Sequence, residues 1–215
     1  MTALNIVRQK NAVHLVTDGA VIDANGRLVG RMQKTFSSPE MRLAFGVAGT
    51  PNLFNLALEA VLGALSYDDF LANAGQRLAD MVVSSEQFFG RHELMETIGI
   101  IGWSKRSGPH AYLVATHTLI DWLPPYTPVE VPGMFYTPSD ARLDADFGDL
   151  NLSLDDASAV ALVTRQRSII APSVGNWSTP IVGCHVSLTS AHETGIETRI
   201  LKRWRKDRVG SVISP

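Results

Sequence analysis

The chain has 215 residues, 45% of them hydrophobic and 19% charged, with a formal net charge of −2; that fits one globular domain over residues 1–215 with a sizeable core and gives no reason to expect a nucleic-acid partner. The single cysteine, Cys184, excludes an internal disulfide and suits a reducing cytosol. No charged-then-apolar leader opens the chain and no apolar run approaches the roughly 18 residues of a membrane span, so a cytoplasmic protein away from membranes is expected.

In chain order, residues 3–9 and 13–18 read as two strands around Lys10-Asn11. Residues 21–22 and 28–34 flank Asn25-Gly26, a strong short hairpin signal. A strand over 42–48 follows a turn at Ser37-Ser38-Pro39-Glu40. Thr50 is the expected N-cap of a first helix, with Pro51 at its first position and residues 53–65 apolar nearly all round. A second helix is predicted over 67–89, with Phe70, Leu71, Ala74, Leu78, Met81 and Val82 as its inner face. Strands follow at 97–103 and 110–116. The proline-rich stretch 124–149 reads as irregular, with a short strand near 134–136. A helix over 154–168, capped by Ser153 with Asp155 and Asp156 in its first turn, precedes two last strands, 181–189 and 196–203. Runs of strands and helices in this order suit a layered α+β domain.

The two N-terminal turns have a chemical consequence. A hairpin centred on Lys10-Asn11 places Thr2 opposite Gly19, next to Asp18. One centred on Asn25-Gly26 brings Lys34 opposite Thr17, again beside Asp18. Three residues distant in sequence therefore meet on adjacent strands. Strict alternation puts Asp18 and Lys34 on opposite faces, so a bulge or a longer loop must shift the register by one. Thr2 stands directly behind Met1, and a small second residue lets Met1 be trimmed. An N-terminal threonine then carries its own nucleophile, the hydroxyl, and its own base, the α-amine.

Thr2, Asp18-Gly19, Lys34 and Gly46-Val47-Ala48-Gly49, at these spacings without insertions, resemble the start of a proteasome β-type subunit, and especially the HslV-type bacterial peptidase of the N-terminal nucleophile hydrolases. The resemblance implies a four-layer αββα sandwich of antiparallel sheets and a threonine-type peptidase or amidohydrolase. Its catalytic residues would be Thr2 as nucleophile and base, Lys34 as the cation that tunes the amine, Asp18 as the group that orients Lys34, and the Gly49 N–H as oxyanion donor. Val47 and Ala48 would line the substrate pocket. It further implies a peptide or protein substrate, a homo-oligomeric ring, an unfoldase ATPase as partner, and no cofactor or metal.

The chain also departs from that pattern. The serine that the family carries in a Gly-Ser-Gly has no counterpart in Val131-Pro132-Gly133-Met134-Phe135, with Thr137 and Ser139 the nearest hydroxyls. Asn176-Trp177-Ser178-Thr179 and Val182-Gly183-Cys184 replace the family's aspartate and Ser-Gly-Gly, and Thr50 replaces a second glycine. These losses keep two alternatives open: an inactive assembly or scaffold protein, and a small-molecule amidase. Cys184-His185 resembles a nucleophile and base, but neighbours on a strand point to opposite faces. The histidines show no metal-ligand spacing. The basic run from Lys202 to Arg208 around Trp204 reads as a solvated chain end rather than a phosphate track.

Overall fold

Turn chemistry organises the first quarter of the chain. The computed structural model describes residues 2–23, 25–49, 58, 64, 66–89, 97–118, 120–147, 154–169 and 180–214. In it β1 (Leu4–Arg8) and β2 (Ala12–Asp18) form a hairpin across Lys10-Asn11, with Leu4 opposite Thr17. β3 (Ala20–Ile22) and β4 (Leu28–Arg31) form a second hairpin. Its turn is held by Asp23, whose Oδ1 accepts the N–H groups of Asn25 and Arg27. Gly26 there takes a φ of 74°, a left-handed conformation open to glycine without steric cost. β5 (Thr35–Ser38) and β6 (Leu43–Ala48) follow, so the turn expected at 37–40 lies slightly later, with Arg42 at a φ of 52°.

The remaining described elements are α1 (Tyr67–Phe89), β7 (Thr97–Ser104), β8 (Gly108–Ala115), β9 (Val129–Glu130), β10 (Met134–Thr137), α2 (Ala141–Phe147), α3 (Asp156–Gln166), β11 (His185–His192) and β12 (Gly195–Arg203). One five-stranded sheet has the order β10-β1-β2-β11-β12 and a second the order β5-β6-β7-β8-β9, with β3-β4 as a separate ribbon. Every strand ladder is antiparallel. The fold is α+β, built mostly of antiparallel sheet.

Period-two alternation explains how the sheets bury both faces. Leu4, Ile6, Val13 and Leu15 of the first sheet share a dry cluster with Ala44, Ile101, Ala111, Leu113 and Ala115 of the second. The opposite face of the second sheet packs Phe45, Val47, Ile98 and Ile100 against Tyr67 and Phe70 of α1. The opposite face of the first packs Val7, Val16, Val186 and Leu188 against Ala159 and Val163 of α3. Full burial of such an aliphatic or aromatic side chain contributes about 1.5–3 kcal/mol. Gly46 and Gly99 pair across β6 and β7, and a Cβ on either would stand 3.0–3.2 Å from the tips of Leu4, Leu15 or Ile6. Their bareness lets the aliphatic side chains of the first sheet seat directly on the backbone of the second.

Three expectations need correction. β4 ends at Arg31 rather than at Lys34, because the chain leaves the ribbon over 32–34 to enter the second sheet. The stretch 124–149 is not wholly irregular: Asp140 Oδ1 accepts the Leu143 N–H at 2.7 Å and starts α2, whose Leu143 is buried against Leu162 and Ile169. The cap of α3 is Asp155, accepting from the Ser158 N–H, and not Ser153, since the shorter aspartate-capped start leaves Leu154 free to pack with Val163 and Ala159. α1 spans the expected range. The first expected helix, with Thr50, Pro51 and 53–65, lies outside the described residues, apart from Leu58 and Ala64, as do Ser153 and the side chains of Ala74, Leu78, Met81 and Val82. No helix among the described residues is long and apolar enough to cross a membrane.

His14 gives the fold a pH dependence. It is 8% exposed in β2 and hydrogen-bonds Ser190 Oγ at 2.8 Å and Gln9 Oε1 at 3.2 Å. Burial, then the charges of His192 and Arg199, lower its pKa from 6.5 to about 4. Across that window the unfolded chain binds a proton that the folded chain does not, so stability falls as pH drops, by on the order of 3 kcal/mol in full. The urea midpoint is expected to decline on acidification through this window, and to decline less in His14→Gln. Equal declines in the two proteins would show that His14 is not the group responsible.

Candidate functional site

Asp18 ends β2 with no exposure to solvent. A buried carboxylate is costly unless its lone pairs are satisfied, and here both oxygens are. Oδ1 accepts the Ala3 N–H at 3.0 Å and the Lys34 ammonium at 2.8 Å. Oδ2 accepts the N–H groups of Ala20 at 3.0 Å and Gly183 at 2.9 Å. One side chain thereby ties together the residue after Thr2, the start of β3, the loop before β11, and Lys34.

Lys34 is 5% exposed and Thr2 2%. The face problem posed by strict alternation is solved by the chain path rather than by a bulge at Asp18. The ribbon keeps its register near Asp18, with Ala20 opposite Arg31 and Val21 opposite Gly30; the irregularity lies farther out, at Val21/Ile22. After the Met32 N–H bonds Gly19 O, the backbone turns away and reaches Thr35, which pairs with Gly46 of the second sheet. Lys34 sits in that crossing. Its neighbours fix it on both sides: Gln33 Nε2 donates to Ser187 Oγ at 2.6 Å, and the hydroxyls of Thr35 and Thr17 lie 3.2 Å apart.

Behind Asp18 stands a second buried ion pair that the sequence did not announce. Arg167, just after α3, meets Asp207 through two hydrogen bonds of 2.8 and 2.6 Å, with Arg167 and Asp207 only 5% and 3% exposed. Asp207 also accepts the Cys184 N–H at 2.7 Å, and Arg167 donates to Val182 O at 3.2 Å. The 182–184 loop is thus clamped from one side by Asp18 and from the other by Asp207. Asp207 lies inside the run read as a solvated chain end; its basic neighbours Arg203, Arg205, Lys206 and Arg208 are exposed, while Asp207 is not. A lone acid within a basic run was the available signal.

Gly19 also has a role beyond a turn dipeptide. A Cβ there would stand 2.0–2.7 Å from the His185 ring, so only glycine lets the imidazole lie beside Asp18. Burial lowers the His185 pKa against the raising influence of Asp18, with Arg203, Lys34 and Arg31 also lowering it. Cys184 is not on the strand: it takes a φ of 67° just before β11, and the alternation expected to separate it from His185 does not apply. Burial and Asp207 raise its thiol pKa, which keeps it a thiol and a poor nucleophile.

Val47 belongs to the packed cluster with Tyr67 and Phe70, whereas Ala48 and Gly49 are half-buried at the end of β6, where Ala48 pairs with Thr97. The helix start expected beyond Gly49 lies outside the described residues, as does 176–179. The strand beside β1 is β10, with Leu4 opposite Thr137. The segment at the Thr2 end of that ladder is therefore 138–140, containing the exposed Ser139, and not 131–135. Asn5 and Gln166 hold it: Gln166 Nε2 donates to Asn5 Oδ1 at 2.7 Å and Pro138 O at 3.0 Å. Among the described residues no group of three His, Cys, Asp or Glu is placed to hold a metal.

No family model and no curated protein matches the sequence. Solved structures do match, and they place the fold with the ancestral beta-subunits called Anbu. The helical assembly of the Anbu complex from Pseudomonas aeruginosa superposes with a TM-score of 0.68 at 13% identity, covering 96% of this chain and 88% of that one. The Gly-1 mutant of Anbu from Hyphomicrobium sp. strain MC1 gives 0.65 at 12%, covering 96% and 90%. Anbu from Yersinia bercovieri gives 0.64 at 11%, covering 95% and 88%. At these identities the likeness shows an Anbu-like fold and nothing finer. It corrects the expected kinship with the HslV-type peptidase: a handful of residues around one carboxylate describes a local geometry, which does not discriminate between related architectures.

The hydrogen-bond pattern predicts an asymmetry. Asp18→Ala leaves three N–H groups and an ammonium buried without an acceptor, and should cost about 3–5 kcal/mol of folding stability. Lys34→Ala leaves a carboxylate that keeps three N–H donors, and should cost clearly less. Denaturant unfolding of both variants checks this, and a larger loss from Lys34→Ala would contradict it.

Proposed function

We propose that this protein is a threonine-type amide hydrolase, acting on peptides, in which trimming of Met1 frees Thr2 as nucleophile and base. The observation that supports this most is the buried Lys34–Asp18 pair at 2.8 Å, hydrogen-bonded to the Ala3 N–H. Such a pair is expensive to keep dry, and its place against the residue after Thr2 is where an N-terminal nucleophile needs a cation.

In this mechanism the Thr2 Oγ attacks the substrate carbonyl while its proton passes to the Thr2 α-amine. An α-amine has an ordinary pKa near 7.7–8.0, so it is only partly a free base at neutral pH. The Lys34 ammonium disfavours a second positive charge beside it and shifts the amine toward its basic form. Asp18 keeps Lys34 charged and aimed. The Gly49 N–H stabilises the oxyanion, and the half-buried Ala48 shapes the wall for the residue before the cut, with the core residue Val47 behind it rather than in contact with substrate. Collapse of the intermediate returns the proton to the leaving amine and leaves an acyl ester on Thr2; water, deprotonated by the same α-amine, then releases the acid.

The packing of α1 and α3 on opposite outer faces of the two sheets supports a four-layer αββα arrangement. The helical assembly of the Pseudomonas aeruginosa Anbu complex supports a homo-oligomer of this chain as well.

Intact mass of protein from its native host tests the reading. The expected result is loss of one methionine and a covalent adduct with a β-lactone electrophile that disappears in Thr2→Ala. Retention of Met1 with no adduct would overturn the reading and favour an assembly protein without catalysis. If the adduct forms, a panel of peptides and small amides separates a peptidase from a small-molecule amidase.

A further inference from the structure

A cavity of about 420 Å³ opens between the end of β4, the loop before β11 and the end of β12. Arg31, Arg203 and Arg205 border it, together with the apolar side chains of Met32, Ile200 and Trp204. Arg31 donates to the main-chain oxygen of Asp207. Among the described residues none of the three arginines has a carboxylate at ion-pair distance, whereas Arg8, Arg77, Arg165, Arg167 and Arg199 each have one. An unpaired arginine on open surface is ordinary. Three exposed arginines at the border of one concavity, with no carboxylate at ion-pair distance among the described residues, give it a positive rim.

A second observation concerns a residue of the same lining. His185 lines the cavity and is 6% exposed, and its Nε2 is buried with no hydrogen-bond partner. Orphaned buried nitrogens are uncommon in folded proteins. Trp204 supplies a fixed wall, since the Arg167 guanidinium lies 4.8 Å and the Lys202 ammonium 5.1 Å from its ring centre. Guanidinium forks match the oxygens of carboxylate and phosphate, and the cavity is of a size that takes a small molecule or a side chain (about 300–1,000 Å³).

We propose that this cavity is a binding site for an oxyanion, a carboxylate or phosphate, carried on a small apolar body: Arg31, Arg203 and Arg205 hold the charge, and Met32, Ile200 and Trp204 hold the body. The site goes beyond the hydrolase reading and stands without it, because none of these residues acts on the reacting atoms of Thr2.

Isothermal titration of the full-length protein with 3-phenylpropionate, phenyl phosphate and the neutral 3-phenylpropanamide tests the site. At least one of the two anions is expected to saturate at concentrations below about 10 mM, with the amide at least about tenfold weaker. Whichever anion binds more tightly identifies the ligand as a carboxylate or a phosphate. Arg203→Ala/Arg205→Ala, at two exposed positions, is expected to weaken anion binding at least about tenfold. Equal binding of the amide, no saturation by either anion, or unchanged affinity in the double variant would each overturn the proposal. The same titration on Thr2→Ala should match wild type, so its outcome is separable from that of the hydrolase reading.

Discussion

A carboxylate shut away from water must find its partners inside the protein, and Asp18 finds four. Three are backbone N–H groups, from Ala3, Ala20 and Gly183, and the fourth is the Lys34 ammonium. Each belongs to a different stretch of chain, so the position of the N-terminal strand, the ribbon, the loop before β11 and the inter-sheet crossing are all set by one side chain. Loss of the carboxylate would release all of them together. A buried charge pair is a poor way to gain stability, so the hydrogen bonds that Asp18 makes to three stretches of backbone are what set its place in the fold.

A second ion pair, Arg167 with Asp207, repeats the device one layer farther back. Asp18 and Asp207 grip the backbone N–H groups of Gly183 and Cys184 in turn, so the loop between them is pinned at successive residues. The segment after β12 is therefore part of the framework around the site. Arg205 of this segment, with Arg203 at the end of β12 and Arg31 at the end of β4, borders the neighbouring cavity.

Much of the fold was legible because local chemistry wrote it plainly. Asn25-Gly26 and Lys10-Asn11 specify turns, and their registers bring Thr2 and the chain leading into Lys34 to the neighbourhood of Asp18. The span of α1 was legible in the spacing of its apolar residues. What escaped was tertiary. The exit of the chain from β4 at Arg31, which puts Lys34 on the correct side of Asp18, depends on the second sheet being there to receive Thr35. α2 hid in a segment whose proline-rich start reads as loop, and it is held by burial of Leu143 rather than by a long periodic face. Gly19 looked like turn punctuation because the His185 ring that demands it comes from a strand far along the chain. Asp207 was masked by the basic residues around it. The kinship read from the N-terminal motif went astray for a related reason: those residues describe the surroundings of a carboxylate, while the Anbu-like architecture is carried by packing that tolerates identities of 11–13%.

The measurement that bears most directly on the role assigned to this buried pair is the geometry at the processed chain start. In a crystal structure of protein whose first residue is Thr2, the Lys34 Nζ is expected within about 4 Å of the threonine Oγ, close enough for its charge to act on the adjacent amine. An ammonium pointing into solvent, more than about 8 Å from that oxygen, would contradict the account, because water would then screen the charge that is meant to set the basicity of the amine.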